Sequence, residues 1–141
     1  MAARKAYVEM LGRTPLFQSL TKSQLATVLE TSKEVDHPEG STVVAEDDLG
    51  VGFHLIVDGT AIVSQHGRRV RRLGPGDSFG DIALIDGRPR TATVRAETAL
   101  RTVSMTVWDF KPLLTEHPQI SYRLLLDLCR RLREAEKKLP L

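Results

Sequence analysis

The stretch FGDIALIDGRPRTATV, residues 79–94, contains the features that decide how this chain is interpreted. It begins like the end of a strand, continues as one or two turns of helix, and closes with the β-branched run of another strand. Gly80 allows a ligand to approach the backbone where the helix begins, and the first N–H groups of a helix attract anions. Arg90 follows ten residues later, with a guanidinium that can bind phosphate through two nitrogens. The pattern predicts an anion site.

Asp81 adds a hydrogen-bond acceptor at the start of the same short helix. A carboxylate repels phosphate but accepts a hydrogen bond from a sugar hydroxyl. Together, anion donors, an arginine and a hydroxyl acceptor indicate a site for a small sugar phosphate. Two structural roles stay open at this point: Asp81 also suits a helix N-terminus as a carboxylate that stabilises the dipole, and Arg90 alone would be a surface arginine of a hairpin.

The sequence pattern changes from helical to strand-like at residue 34, upstream of this stretch. Residues 1–33 have helical spacing, broken near Gly12 and Pro15 into two short helices, and Thr21 with Gln24 fits a capping box. From residue 34 to 105, short β-branched or apolar runs alternate with turns rich in Gly, Pro and Asp. Strands of this length and spacing predict a small antiparallel barrel or jelly roll.

Residues 106–138 return to helical spacing. We expect Thr106 to cap one helix, Pro112 to limit or bend it, and Pro118 to open the last helix. The last helix is amphipathic, and its apolar residues are predicted to share one face that packs on the roll, covers a ligand or forms a dimer seam. These residues are Leu124, Leu125, Leu128, Leu132, Ala135 and Leu139.

Composition excludes several classes of protein. The 141 residues suffice for one domain, and the net charge of +2 is too small to indicate a polyanion partner. The one cysteine, Cys129, excludes an internal disulfide, and the four histidines are too scattered for a metal site. The sequence has no apolar run of signal-peptide or membrane-span length, no P-loop and no nucleophile motif. We therefore expect a cytoplasmic protein without catalytic activity.

Residues 79–94 resemble the phosphate-binding cassette of the cyclic nucleotide-binding domain family. That cassette runs Phe-Gly-Glu-Leu/Ile-Ala-Leu, a short loop, then Pro-Arg-Ala/Thr/Ser-Ala-Thr-Val. Both halves match here without a gap between them, and upstream Gly59 and residues 73–77 resemble the family's glycine before the fourth strand and its Gly-Asp turn. The resemblance covers about residues 16–132. It implies a mainly β fold, an eight-stranded antiparallel β-roll or jelly roll with N-terminal and C-terminal helices.

The resemblance also implies roles for individual residues. Arg90 would hold the cyclic phosphate together with Gly80 and the N–H groups of Ile82 and Ala83. Asp81 would bind the ribose 2′-hydroxyl, and Val63 and Val70 would form an apolar wall near the base. Thr91 would lie beside phosphate and base. The full predicted ligand-binding set is Phe79, Gly80, Asp81, Ile82, Ala83, Arg90, Thr91, Ala92, Val63 and Val70.

Some positions depart from the family pattern. Asp81 is one methylene shorter than the family's glutamate, which predicts weaker binding or a small shift of the cassette. A hydroxyl at Thr91 occurs in binders of guanine and of adenine. Ala135 and Glu136 fall near positions where catabolite-activator relatives carry Thr and Ser to read the base. The choice of base therefore stays open, with cAMP ahead of cGMP.

The resulting expectation is a regulatory module, a single domain over residues 1–141, that binds a cyclic nucleotide and no metal. Its parts would be N-terminal helices over 1–33, the β-roll over 34–105 with the cassette, and hinge and lid helices over 106–138. Ligand binding would reposition the last helix. We expect no DNA-binding domain in this sequence, so the output would act on an effector protein, a fused domain or a second copy. The alternative is a β-roll that binds no nucleotide and serves as an interaction or dimerisation module.

Overall fold

The computed structural model describes residues 2–45, 52–88 and 92–139. Two helices open the chain, a series of short strands follows with one short helix inside it, and two helices close it. In these residues the helices are α1 (Ala2–Leu11), α2 (Lys22–Glu30), α3 (Asp81–Asp86), α4 (Val107–Glu116) and α5 (Pro118–Glu136). The strands are β1 (Lys33–His37), β2 (Thr42–Val44), β3 (Gly52–Asp58), β4 (Ala61–Gln65), β5 (Arg68–Leu73), β6 (Ser78–Phe79), β7 (Thr93–Ala96) and β8 (Leu100–Thr106).

The eight strands of the described residues form two four-stranded sheets. One has the order β1-β8-β3-β6 and the other the order β2-β7-β4-β5. Every pairing within them is antiparallel. The predicted fold class, an antiparallel β-roll with helices at both ends, is confirmed.

The first sheet is covered on both faces. Alternate residues of β3 point to opposite sides, so Phe53 and Leu55 pack with the helices while Ile56 packs between the two sheets. Three aromatic rings join helices to sheet: Phe17 lies edge-on to Phe53 at 5.3 Å and to Phe110 at 5.9 Å between ring centroids. The smaller cluster between the sheets consists of Ile56, Ala61, Leu73, Val94, Ala96 and Leu100.

Local signals set most helix ends. The predicted capping box is present: the N–H of Gln24 donates to Thr21 Oγ1 at 3.2 Å, and the N–H of Thr21 donates to Gln24 Oε1 at 3.0 Å. Thr106 caps α4 by accepting from the N–H of Asp109. Pro118 opens α5, as predicted. Pro112 does not end α4, which continues to Glu116 because buried residues on both sides of the proline hold the helix against the core.

The predicted apolar stripe of α5 is only partly buried. Ile120 and Leu124 are buried, whereas Leu125 and Leu132 are 59% and 60% exposed. At about 100° per residue these leucines fall within one arc of the helix, but only the edge of that arc at Leu124 faces the core. Among the described helices, none is long and apolar enough to cross a membrane.

Candidate functional site

The first half of the predicted site forms one continuous turn between β6 and α3. Phe79 ends the strand, and Gly80 has φ 86° and ψ 18°, a left-handed conformation that glycine adopts without a steric penalty. The side chain of Leu84 is completely buried and holds α3 against the larger core. The backbone of residues 80–83 is therefore held at the surface of the roll, where the sequence predicts the phosphate contacts.

The second half of the cassette is only partly described. Arg90 and Thr91, the predicted contacts with phosphate and base, lie outside the described residues, as does Pro89. Ala92 directly precedes β7 and is half-buried. The role of Arg90 therefore stays a prediction from the sequence.

Asp81 makes two hydrogen bonds at the start of α3. Its Oδ1 accepts from the N–H of Ile82 at 2.8 Å, and its Oδ2 accepts from Nη2 of Arg131 on α5 at 3.0 Å. The ion pair is largely shielded, since the two side chains are 27% and 30% exposed. One of the N–H groups predicted to bind phosphate is thus already bonded to the carboxylate. A phosphate at that position requires Asp81 to turn away from Ile82.

Arg131 is the functional candidate that sequence reasoning missed. It lies 50 residues after its partner Asp81, so no local pattern joins the two. One signal was available in the sequence: Arg131 follows the apolar Leu124 by seven residues, or two helical turns, which places a charged residue on the same side of α5 as that leucine. The ion pair connects the cassette directly to the last helix.

The two valines predicted to form an apolar wall near the base differ in burial. Val63 on β4 and Phe79 both pack against the cluster between the sheets. Val70 lies on the edge strand β5, is 57% exposed, and falls where the register between β4 and β5 shifts. The structure therefore brings Val63 near the cassette but leaves Val70 at the surface.

The arginines of β5 divide into paired and unpaired groups. Arg72 binds Glu97 at 2.8 Å, and Arg69 lies 4.0 Å from the same carboxylate. Hydrogen bonds from Arg72 and then Thr60 hold the pKa of the Glu97 carboxyl below its ordinary value. Arg71 makes no ion pair within the described part of the chain. It lies opposite Val63 in the β4–β5 pairing, so the two side chains leave the sheet on the same face.

Two histidines that are far apart in sequence meet inside the roll. A chain of hydrogen bonds runs from His37 Nε2 to Thr102 Oγ1 (3.0 Å), on to Ser104 Oγ (2.7 Å), and from there to His54 Nδ1 (2.7 Å). The ring of His54 stacks on Phe79 at 4.9 Å. Burial lowers the pKa of His37, and the nearby charge of Asp36 opposes that shift. Groups of three or more side chains suited to a metal ion are absent from residues 2–45, 52–88 and 92–139.

Comparison with known sequences identifies relatives over most of the chain. The family model described as the cyclic nucleotide-binding domain matches residues 34–117. A CRP-like cAMP-activated global transcriptional regulator from Mycobacterium tuberculosis is 32% identical over an alignment of 136 residues, and the match covers 93% of this chain and 61% of that regulator. The chain thus spans about three fifths of the length of this relative.

Solved structures also superpose on most of this chain. The N-terminal domain of a transcriptional regulator from Streptomyces coelicolor A3(2) superposes with a TM-score of 0.87 at 28% identity, covering 94% of this chain and 98% of that one. The regulatory domain of Toxoplasma gondii PKA, determined with cAMP, superposes with a TM-score of 0.73 at 28% identity, covering 79% of this chain and 44% of that one.

Proposed function

The chain belongs to the cyclic nucleotide-binding domain family, and on that premise we propose that it is a regulatory module that binds cAMP in preference to cGMP. The family model matches more than half of the 141 residues. The observation that carries the proposal is the gap-free match of residues 79–94 to the family's phosphate-binding cassette, with Gly80 in the left-handed conformation that the turn requires.

The nucleotide would lie against the turn between β6 and α3. Arg90 and the backbone N–H groups of Ile82 and Ala83 would bind the cyclic phosphate, with Gly80 permitting close approach. Asp81 would accept from the ribose 2′-hydroxyl after it leaves Ile82. The remaining contacts would come from Phe79, Thr91 and Ala92 of the cassette and from Val63 and Val70 near the base.

Binding would act on α5 through Asp81. A ribose that takes this carboxylate competes with Arg131, so it favours a state in which the link between cassette and last helix is broken. The rest of α5 remains attached by buried Ile120 and Leu124 and by the bond from Arg123 Nη1 to the carbonyl of Ser19. The helix would therefore shift or repack rather than detach.

The preference for cAMP is supported by the descriptions of similar proteins, two of which name cAMP. A second candidate ligand, cGMP, is favoured by Arg71. A guanidinium donates two parallel hydrogen bonds to N7 and O6 of guanine, whereas adenine presents a donor at the second position. Arg71 has no ion-pair partner in the described residues and shares a face with Val63.

The output of the module is also part of the proposal. We take residues 1–141 as one cytoplasmic regulatory unit without a metal, acting on an effector protein or a fused domain. A homodimer would use the exposed leucines of α5, Leu125 and Leu132. The alternative function is an interaction module that has the same fold but binds no nucleotide.

The test is isothermal titration of the protein with cAMP and cGMP, beside Arg90→Ala. The expected result is saturable binding that the variant loses, because removing a cation paired with a bound phosphate costs about 2–5 kcal/mol. The tighter nucleotide identifies the base that the site prefers.

A matched control lies two residues away. Arg88 is exposed, and among the described residues only its backbone N–H is bonded, to Asp86. Arg88→Ala therefore removes the same charge from the same cassette and is expected to leave binding unchanged. If neither nucleotide gives heat or a thermal shift at millimolar concentration, the proposal fails and the interaction module becomes the better account.

A further inference from the structure

Two buried polar atoms on α5 lack hydrogen-bond partners within the part of the chain that the structure describes. They are Oδ2 of Asp127 and Nη1 of Arg131. A buried polar atom without a partner lowers stability, and the Asp127 side chain is only 1% exposed. One donor and one acceptor in this condition on the same helix indicate a contact that forms in another state of the protein.

Asp127 and Arg131 are neighbours on the helix surface. They are four residues apart on α5, with the acid on the N-terminal side, the arrangement in which an Asp–Arg pair is favourable. The pair is not formed in this structure. Arg131 instead donates Nη2 to Asp81, while Oδ1 of Asp127 accepts from Gln18 Nε2 at 3.1 Å and from Arg130 Nη2 at 3.0 Å.

We propose that Asp127 is a positioning residue for ligand binding: it is the second acceptor for Arg131, which moves from Asp81 to Asp127 when a nucleotide occupies the cassette. The inference rests on the proposed function, since the ribose is what displaces Arg131. Both oxygens of Asp81 sit on one carbon, so a turn that frees the N–H of Ile82 for phosphate also displaces the oxygen that holds Arg131.

The move of Arg131 to Asp127 adds a contact and leaves the existing hydrogen bonds of Asp127 in place. Its Oδ1 already holds Gln18 and Arg130, and the incoming guanidinium would use the unoccupied Oδ2. The guanidinium charge stays compensated in both states, which removes a penalty that the bound state would otherwise carry. Asp127 thereby favours the state in which the cassette is separated from α5.

The experiment is a double-mutant cycle on cAMP binding, measured by titration with Asp127→Asn, Arg131→Gln and both together. Asparagine keeps the shape and an acceptor for Gln18 but removes the charge. We expect Asp127→Asn to weaken binding about tenfold in the otherwise unchanged protein and by less than about twofold when Arg131 is already glutamine. Gln18→Ala, which removes a different partner of the same carboxylate, is expected to leave the Kd within about twofold.

The outcomes separate this inference from the function on which it rests. Equal losses from Asp127→Asn in both backgrounds, or no loss in either, would overturn the exchange while cAMP binding by the unchanged protein upholds the proposed function. Absence of saturable binding by the unchanged protein would overturn both. A purely structural role for Asp127 would lower the melting temperature of the free protein without coupling to Arg131.

Discussion

At the scale of single residues, Asp81 is where this chain departs most from its family's pattern. Its short side chain folds back onto the N–H of the next residue, Ile82, and reaches Arg131 at the same time. A glutamate, one methylene longer, would extend past the start of α3 toward a bound ribose. In this structure the aspartate thus bonds both the start of α3 and the last helix, and these bonds would compete with the proposed ligand.

Restoring the family residue should therefore improve binding. Asp81→Glu is expected to lower the Kd for cAMP by up to about tenfold, because the longer side chain reaches the ribose hydroxyl and no longer bonds its own helix N–H. Titration of both proteins measures the change.

A conservative change at the other end of α3 serves as the control. Asp86→Glu adds the same methylene to an exposed residue and should leave the Kd unaltered. Weaker binding by Asp81→Glu would mean that the aspartate is fitted to the ligand and that the position has another role.

At the scale of elements, α5 presents two faces with different tasks. The inward face carries Ile120, Leu124 and Asp127, all buried, followed by Arg131. The outward face carries Leu125 and Leu132, which are exposed. The inward face joins the helix to the roll and the cassette, and the outward face is available to a partner.

Substitutions on the two faces are expected to change the free energy of unfolding by very different amounts. Leu124→Ala should lower the free energy of unfolding by about 2–5 kcal/mol, since it removes a buried side chain. Leu125→Glu with Leu132→Glu should change it by less than about 0.5 kcal/mol at each site in a monomer, since both are exposed. Urea unfolding of the three proteins measures these differences.

Light scattering on the same samples tests the dimer. A dimer that the two glutamates convert to a monomer supports a seam on the outward face. A monomer before and after the substitutions, with cAMP binding intact, contradicts that seam. A change in the free energy of unfolding as large as that of Leu124→Ala would contradict the division into two faces.

At the scale of the whole molecule, helices from both ends of the sequence share one core with the roll. Phe17 comes from the segment between α1 and α2, Phe53 from β3 and Phe110 from α4, and all three are completely buried. Their edge-to-face contacts join segments that are 36 and 93 residues apart from Phe17. We infer that helices and roll unfold together.

Removing the central ring tests this. Phe17→Ala should cost about 3–5 kcal/mol and lower the melting temperature of helix and strand signals together. Circular dichroism during thermal unfolding follows the helix and strand signals. Tryptophan fluorescence reports on α4, where Trp108 lies.

Trp108→Ala, followed by circular dichroism alone, is the matched aromatic deletion on an exposed side chain and should have little effect. Loss of the helix signal well before the strand signal in Phe17→Ala would contradict a single cooperative core.

The sequence by itself determined the features that depend on neighbours a few residues apart. The capping box at Thr21, the proline at the start of α5 and the short strands between turns are local, and so is the sequence pattern of the cassette, which lies within residues 79–94. The resemblance to the family was visible in the same continuous stretch. These features were predictable because bond geometry and hydrogen bonding to near neighbours restrict the chain directly.

Only the tertiary structure decided which distant residues meet. The ion pair of Asp81 with Arg131, the division of the α5 leucines and the chain of hydrogen bonds between His37 and His54 all depend on how helices and sheets pack. Partners in such contacts are separated by tens of residues, and periodicity identifies the face of an element but not what covers it. Long-range packing is set by the whole core at once, so no short pattern in the sequence contains it.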